Sequence, residues 1–207
     1  STKKTIWMIV LLLVLIVAGG GCGFISATMS NLPDVSNVRP SASSQIYDVH
    51  GNLITTVHST ENRLPVPLKD VPKDLQNAFV ATEDSRFYTH HGIDPIGILR
   101  AVWVNIVHSG VSEGGSTITQ QLARNAFLSQ DRTLKRKISE ALLALKIEQH
   151  YTKDEILEMY MNQIYFGQGA YGVQSASHVY FGKDASELTL AQAALIAGLP
   201  QSPNYYS

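Results

Sequence analysis

The run IWMIVLLLVLIVAGGGCGFI, residues 6–25, carries no charged side chain. A hydrocarbon core of about 30 Å needs roughly 20 apolar helical residues to cross it, so this stretch reads as a single-pass membrane anchor. Lys3 and Lys4 precede it. The positive-inside tendency therefore places the N-terminus in the cytoplasm and the chain beyond residue 28 outside the membrane. A cleaved signal peptide has a shorter apolar core, although AGGGCG is small enough to keep that alternative open. A lipoprotein site at Cys22 would want a large aliphatic residue where Gly19, Gly20 and Gly21 stand.

The anchor leaves about 180 of the 207 residues outside, enough for one well-buried domain. Cys22 is the only cysteine, so the exported part holds no disulfide and relies on its apolar core. The formal net charge of −1 implies neither a basic nucleic-acid groove nor an acidic tail, and no nucleic-acid partner is expected.

Residues 29–44, with two prolines and no apolar period, read as a linker. Residues 45–58, QIYDVHGNLITTVH, alternate around Gly51-Asn52 and predict a short β-hairpin. From Lys73 onward helical patterns dominate. Asp94-Pro95 supplies an N-cap and a first-turn proline for a helix with the apolar stripe Ile98, Val102, Ile106. A second stripe runs through Leu134, Ile138, Leu142 and Leu145. Thr152 to Glu155 form a capping box, and a last helix spans about 188–197 before Gly198 and Pro200. The expected organisation is a tip and anchor at 1–28, the linker at 29–44, and one mainly α domain at 45–207 that opens with the hairpin.

Three stretches hold candidate chemistry. ATEDSRFYTHHG, 81–92, carries Glu83 and Asp84 off the end of a helix. EGGSTITQQLARN, 113–125, brings two glycines and two hydroxyls into a helix start, where free N–H groups and the helix dipole suit an anion. RTLKRKISE, 132–140, supplies four cations and an acid. Converging with Arg124, they would suit a pyrophosphate, and the acid is a candidate ligand for Mg²⁺ or Mn²⁺ on the same phosphates. Taken singly, the last two read more readily as an ordinary capped helix and a solvated basic face.

In order, EDSRFYTHHG, GGSTITQQLARN, RTLKRKISE and KDEILEMYMNQIYFGQGAYGVQSAS closely resemble the motifs of the peptidoglycan glycosyltransferase family, which comprises the N-terminal domain of class A penicillin-binding proteins and its monofunctional relatives. The closing YFGKDASELTLAQAALIAGLPQSPNYY is similar to the family's final helices. The resemblance implies a lysozyme-like helical lobe with a smaller, membrane-associated jaw. It further implies polymerisation of lipid II onto a lipid-linked nascent glycan, with release of undecaprenyl pyrophosphate. By that resemblance Glu83 is the base, and Glu140 is the second acid, near the donor diphosphate and a candidate metal ligand. Ser116, Gln121, Arg124, Asn125, Arg132 and Lys137 contact the donor. Membrane, cell-wall synthesis proteins and moenomycin-type phosphoglycolipids are the implied partners and inhibitors. Whether a transpeptidase domain follows stays open.

Glu83 is expected to have a raised pKa from burial against Phe87, tempered by Arg86, with Asp84 and His90 structural. Two positions depart from the family pattern. Ser139 stands where a lysine is usual and Gln192 where a glutamate is. Tyr160, Asn162, Tyr165, Phe166 and Gly167 read first as core packing with polar pins, Asn162 and Gln163 also as supporting groups for the site. A glycan-cleaving enzyme and a silent scaffold are the competing readings.

Overall fold

The computed structural model describes residues 23, 26–36, 44–51, 53–57, 62–108, 114–129, 131 and 133–206. The predicted anchor at 6–25 lies almost entirely outside them. Among the described residues no helix is long and apolar enough to cross a membrane.

The domain is mainly helical. A hairpin of β1 (Ser44–Tyr47) and β2 (Leu53–Val57) comes first, antiparallel with a bulge at Ile46/Tyr47. It matches the alternation around Gly51. A short β3 (Asn62–Arg63) pairs in parallel with β4 (Ala170–Tyr171). The helices are α1 (Lys73–Glu83), α2 (Pro95–Val107), α3 (Ile118–Phe127), α4 (Leu134–His150) and α5 (Lys153–Gln163). They are followed by α6 (Val173–Phe181), α7 (Leu190–Gly198) and a final turn, α8 (Pro203–Tyr206).

The core forms where α1 packs along α7 and α3 lies against α4 and α5. Leu75 and Phe79 of α1, Ile118 and Leu122 of α3, Leu143 and Ile147 of α4, and Tyr160 and Met161 of α5 are its buried contributors. Phe79 sits edge-on to Tyr160 and Phe166, each with ring centroids 6.0 Å apart. Asn162 works as a pin. Its side chain accepts from Val66 N and donates to Val66 O, each at 2.8 Å, so it fastens the extended segment before α1 to α5. The described part of the 29–44 stretch is fastened too. Val35 is fully buried, Tyr151 donates to its carbonyl at 2.8 Å, and Lys146 donates to Pro33 O at 3.2 Å.

Two helices turn differently from the periodic reading. On α4 the buried residues are Ser139, Glu140, Leu143, Ala144 and Ile147, one step away from the predicted stripe, while Leu134 is exposed. Glu140 can sit on that face because it brings its own cationic partners. On α2 only Gly97 and Ala101 are buried, and Ile98, Val102 and Ile106 point outward beside Leu99 and Trp103. Asp94 takes the N-cap position of α2 without capping it; Arg86 occupies its carboxylate instead.

Candidate active site

α1 ends at Glu83, and the chain turns sharply through 84–92 before α2. The two adjacent acids part company there. Asp84 points inward, 7% exposed, where both carboxylate oxygens meet His90 Nε2 at 2.9–3.0 Å and Oδ2 accepts from Ile118 N at 3.1 Å. It thereby seats the first turn of α3 against the loop. Thr117, the N-cap of α3, closes a capping box with Gln120 and donates its hydroxyl to Gly92 O at 2.7 Å. Gly92 has φ +80°, and a Cβ there would lie 2.9 Å from the Ala144 carbonyl, so only glycine lets the loop rest on α4.

Glu83 points the other way, into a cleft of about 760 Å³ lined by Thr82, Ser85, Arg100, Ser116, Gln121, Arg124 and Gln201 among others. Gln121 Nε2 donates to its Oε2 at 2.8 Å, and Oε1 is buried with no partner. Burial pushes the Glu83 carboxyl above the usual range, with Asp84 adding slightly; the Gln121 hydrogen bond and then Arg124 pull it back. The tempering cation is therefore Arg124. Arg86, the residue expected from sequence proximity, is spent on Asp94.

Glu140 is fully buried behind the cleft's edge. Lys137 Nζ donates to its Oε2 at 2.8 Å and to Ser116 Oγ at 2.6 Å, and Arg136 Nε lies 3.4 Å from Oε1. The lysine bridges the buried acid to a cleft-lining hydroxyl. A carboxylate closed in by two cations does not fit a divalent ion, and among the described residues no group of three or more His, Cys, Asp or Glu is placed to hold one. Asn125 follows on α3, half-buried, and Arg132 lies outside the described residues. Ser139 faces a separate cleft of about 300 Å³ with Thr28, Leu32, Leu128 and Lys135, away from Glu83. Gln192 closes a capping box with Thr189 at the start of α7, a task glutamine performs as well as glutamate.

One residue read as core belongs to the site as well. Tyr160, 1% exposed, donates its hydroxyl to Gln121 Oε1 at 3.3 Å. The available signal was chemical: a tyrosine at a fully buried helical position needs a hydroxyl partner that phenylalanine does not.

One cleft thus brings together a half-buried, hydrogen-bonded carboxylate, a helix start, an arginine and a lysine-held serine. A family model described as Transglycosylase matches residues 50–207. Penicillin-binding protein 1A of Escherichia coli is 51% identical over 94% of the chain and 23% of its own length. Penicillin-binding protein 1F of Bacillus subtilis is 44% identical over 99% and 29%, and penicillin-binding protein 1A of Haemophilus influenzae 55% identical over 77% and 19%. The chain belongs to the transglycosylase family. It spans less than a third of the length of these relatives.

Proposed function

We propose that this domain polymerises lipid II into β-1,4-linked glycan strands in bacterial cell-wall synthesis. The observation that supports it most is the pairing of Glu83 with Ser116, Gln121 and Arg124 around one cleft. In this reading Glu83 removes the proton from the acceptor sugar's 4-hydroxyl. That oxygen attacks the donor's anomeric carbon as the bond to phosphate breaks, and the undecaprenyl diphosphate leaves with the electron pair. The donor link is α and the product link β, so one inverting displacement suffices and one carboxylate base serves it.

A diphosphate leaving group needs its charge met by cations, with no proton from a second acid. In this reading Arg124, which lines the cleft, and Lys137, whose ammonium reaches the cleft-lining Ser116, do this, with Ser116 as a hydroxyl donor and Gly115 and Ser116 leading into α3. Glu140 holds Lys137 in position through its Oε2. Asn125 and Arg132 extend the donor contacts in the same proposal.

The exposed apolar face of α2 fits a membrane-associated jaw. Ile96, Leu99, Trp103 and Ile106 are each 65–69% exposed on one short helix, the pattern of a face that rests in an apolar medium. The anchor at 6–25 would hold the domain on the outer side of the cytoplasmic membrane, where lipid-linked donor and growing strand both reside.

The test is turnover of labelled lipid II in detergent or vesicles. The wild-type chain makes long strands that a moenomycin-type phosphoglycolipid blocks, and Glu83→Gln makes none. Polymerisation by Glu83→Gln, or release of muropeptides from isolated cell wall without a lipid-linked donor, overturns the proposal.

A further inference from the structure

Tyr160 hydroxyl, Gln121 amide and Glu83 carboxylate form an unbranched chain: 3.3 Å from phenol to amide oxygen, 2.8 Å from amide nitrogen to carboxylate. The amide has one donor end and one acceptor end, so the direction in which it faces carries information. Against an ionised Glu83 the NH₂ end must face the carboxylate, which leaves the carbonyl for the phenol O–H. Against a protonated Glu83 the amide is free to turn over, its carbonyl accepting from the carboxyl and its NH₂ facing the phenol oxygen.

We propose that Tyr160 is a positioning residue for the transfer reaction: by donating to Gln121 Oε1 it holds the amide's NH₂ end toward Glu83 and so keeps that carboxylate in its proton-accepting form. The proposal rests on the reading of Glu83 as the base. Burial raises the phenol's pKa well above its ordinary value, so it remains a donor across the whole working range. Without such a device, desolvation of Glu83 would favour the protonated acid, which cannot take the proton of a sugar hydroxyl. Among the described residues the other charges facing Glu83 are few. Asp84 adjoins it, Arg124 comes from α3, and Arg100 of α2 lines the same cleft. α7, which packs along α1, contributes no titratable residue.

The readout is the titration of Glu83 itself in the whole chain, labelled with ¹³C at glutamate carboxyls and assigned by the peak lost in Glu83→Gln. Tyr160→Phe keeps the ring and should raise the Glu83 midpoint by about half a pH unit or more. The acidic limb of lipid II turnover should move with it. In a Gln121→Met background, adding Tyr160→Phe should move the midpoint no further, because the phenol acts only through the amide. A chain grown with 3-fluorotyrosine carries a more acidic, stronger-donating phenol with almost no change of shape, and its midpoint should fall. That arm decides the matter even if Tyr160→Phe folds poorly. A midpoint unmoved by Tyr160→Phe or by fluorination, or equal shifts with and without Gln121, overturns the relay. A purely structural tyrosine would lower the melting temperature and leave the midpoint in place. If the midpoint moves as expected but the wild-type chain forms no glycan, the relay stands and the polymerase reading falls. If the chain forms glycan and the midpoint stays put, only the relay falls.

Discussion

Replacing Asp84 with alanine removes two interactions at once, and both can be given a size. Ile118 N, the first amide of α3, loses its carboxylate acceptor at 3.1 Å. Losing a side-chain acceptor at a helix N-terminus costs about 1 kcal/mol. His90 Nε2, buried and held at 2.9–3.0 Å by the same carboxylate, is left without a partner. An orphaned buried polar group costs about 1–3 kcal/mol. Together Asp84→Ala should destabilise the domain by about 2–4 kcal/mol, which for a chain of this size lowers the melting temperature by roughly 5–15 °C. Asp84→Asn retains one carbonyl acceptor and should lose about half as much. Thermal melts followed by circular dichroism, with urea titration for the free energies, give these values directly. Turnover measured well below the melting range should survive in both variants, reduced because α3 carries Gln121 and Arg124. Glu83→Gln should do the reverse, keeping the fold and losing turnover. An Asp84→Asn protein with unchanged melting and no turnover would mean that Asp84 is the reacting acid, and the division of labour argued from their opposite orientations would collapse.

Gly92→Ala should cost about 1–2 kcal/mol for a non-glycine residue at positive φ and about 1–3 kcal/mol more for its overlap with the α4 backbone; an unchanged urea midpoint would refute this. The Glu83 pKa is raised by folding, so its contribution to stability is fully present below the unfolded carboxyl pKa and is lost as pH rises through the folded value. Glu83→Gln should accordingly melt above the wild-type protein at pH 7, with the gap closing toward pH 4; a gap constant across that range would contradict the sign. Lys137→Met should leave Glu140 buried with Arg136 alone, at a cost of about 1–3 kcal/mol after allowing for a lysine that is 45% exposed. Adding Glu140→Gln should recover most of that loss in urea titration, and a further loss in the double variant would show that the ammonium is not there to balance the acid.

Local chemistry was legible at caps and turns whose partners sit within one helical turn, Asp94 excepted. Thr152 with Glu155 closes the expected capping box, and the hairpin around Gly51 pairs as its alternation required. Long-range partner choice was not legible. Arg86 stands three residues from Glu83 yet belongs to Asp94, because a guanidinium beside the first turn of α2 can grip both oxygens of that carboxylate. The Glu83 partner, Gln121, is thirty-eight positions away and reaches it only because α3 packs against α5 and seats its first turn on Asp84. The stripes misled for a related reason. Periodicity reports which side of a helix is apolar and is silent on what that side meets. On α4 a salt-bridged glutamate took a core position near the predicted one, and on α2 most of the apolar side is left exposed among the described residues.

Gln121 and Arg124 hold the best evidence that the site could have been assembled further from sequence alone. Spaced i and i+3 on α3, they share a face, and that face is the one turned toward Glu83. An amide and a guanidinium one turn apart can together hold a carboxylate ionised against its own burial while leaving its second oxygen open. In this domain that second oxygen, Glu83 Oε1, is buried without a protein partner. Glu140 Oε1 also lacks a hydrogen bond, but Arg136 Nε stands 3.4 Å from it, whereas Glu83 lines the cleft, where an acceptor hydroxyl would supply the missing bond. In the proposed reaction that open oxygen is where the acceptor hydroxyl binds, and this makes a demand on a mutant. Glu83→Asp, which keeps the charge and withdraws the carboxylate by one methylene, should lose most of its turnover while Gln121 and Arg124 stay folded around it. Full activity in that variant, read with the labelled lipid substrate, would show that the position of the open oxygen is not what the cleft was built to fix.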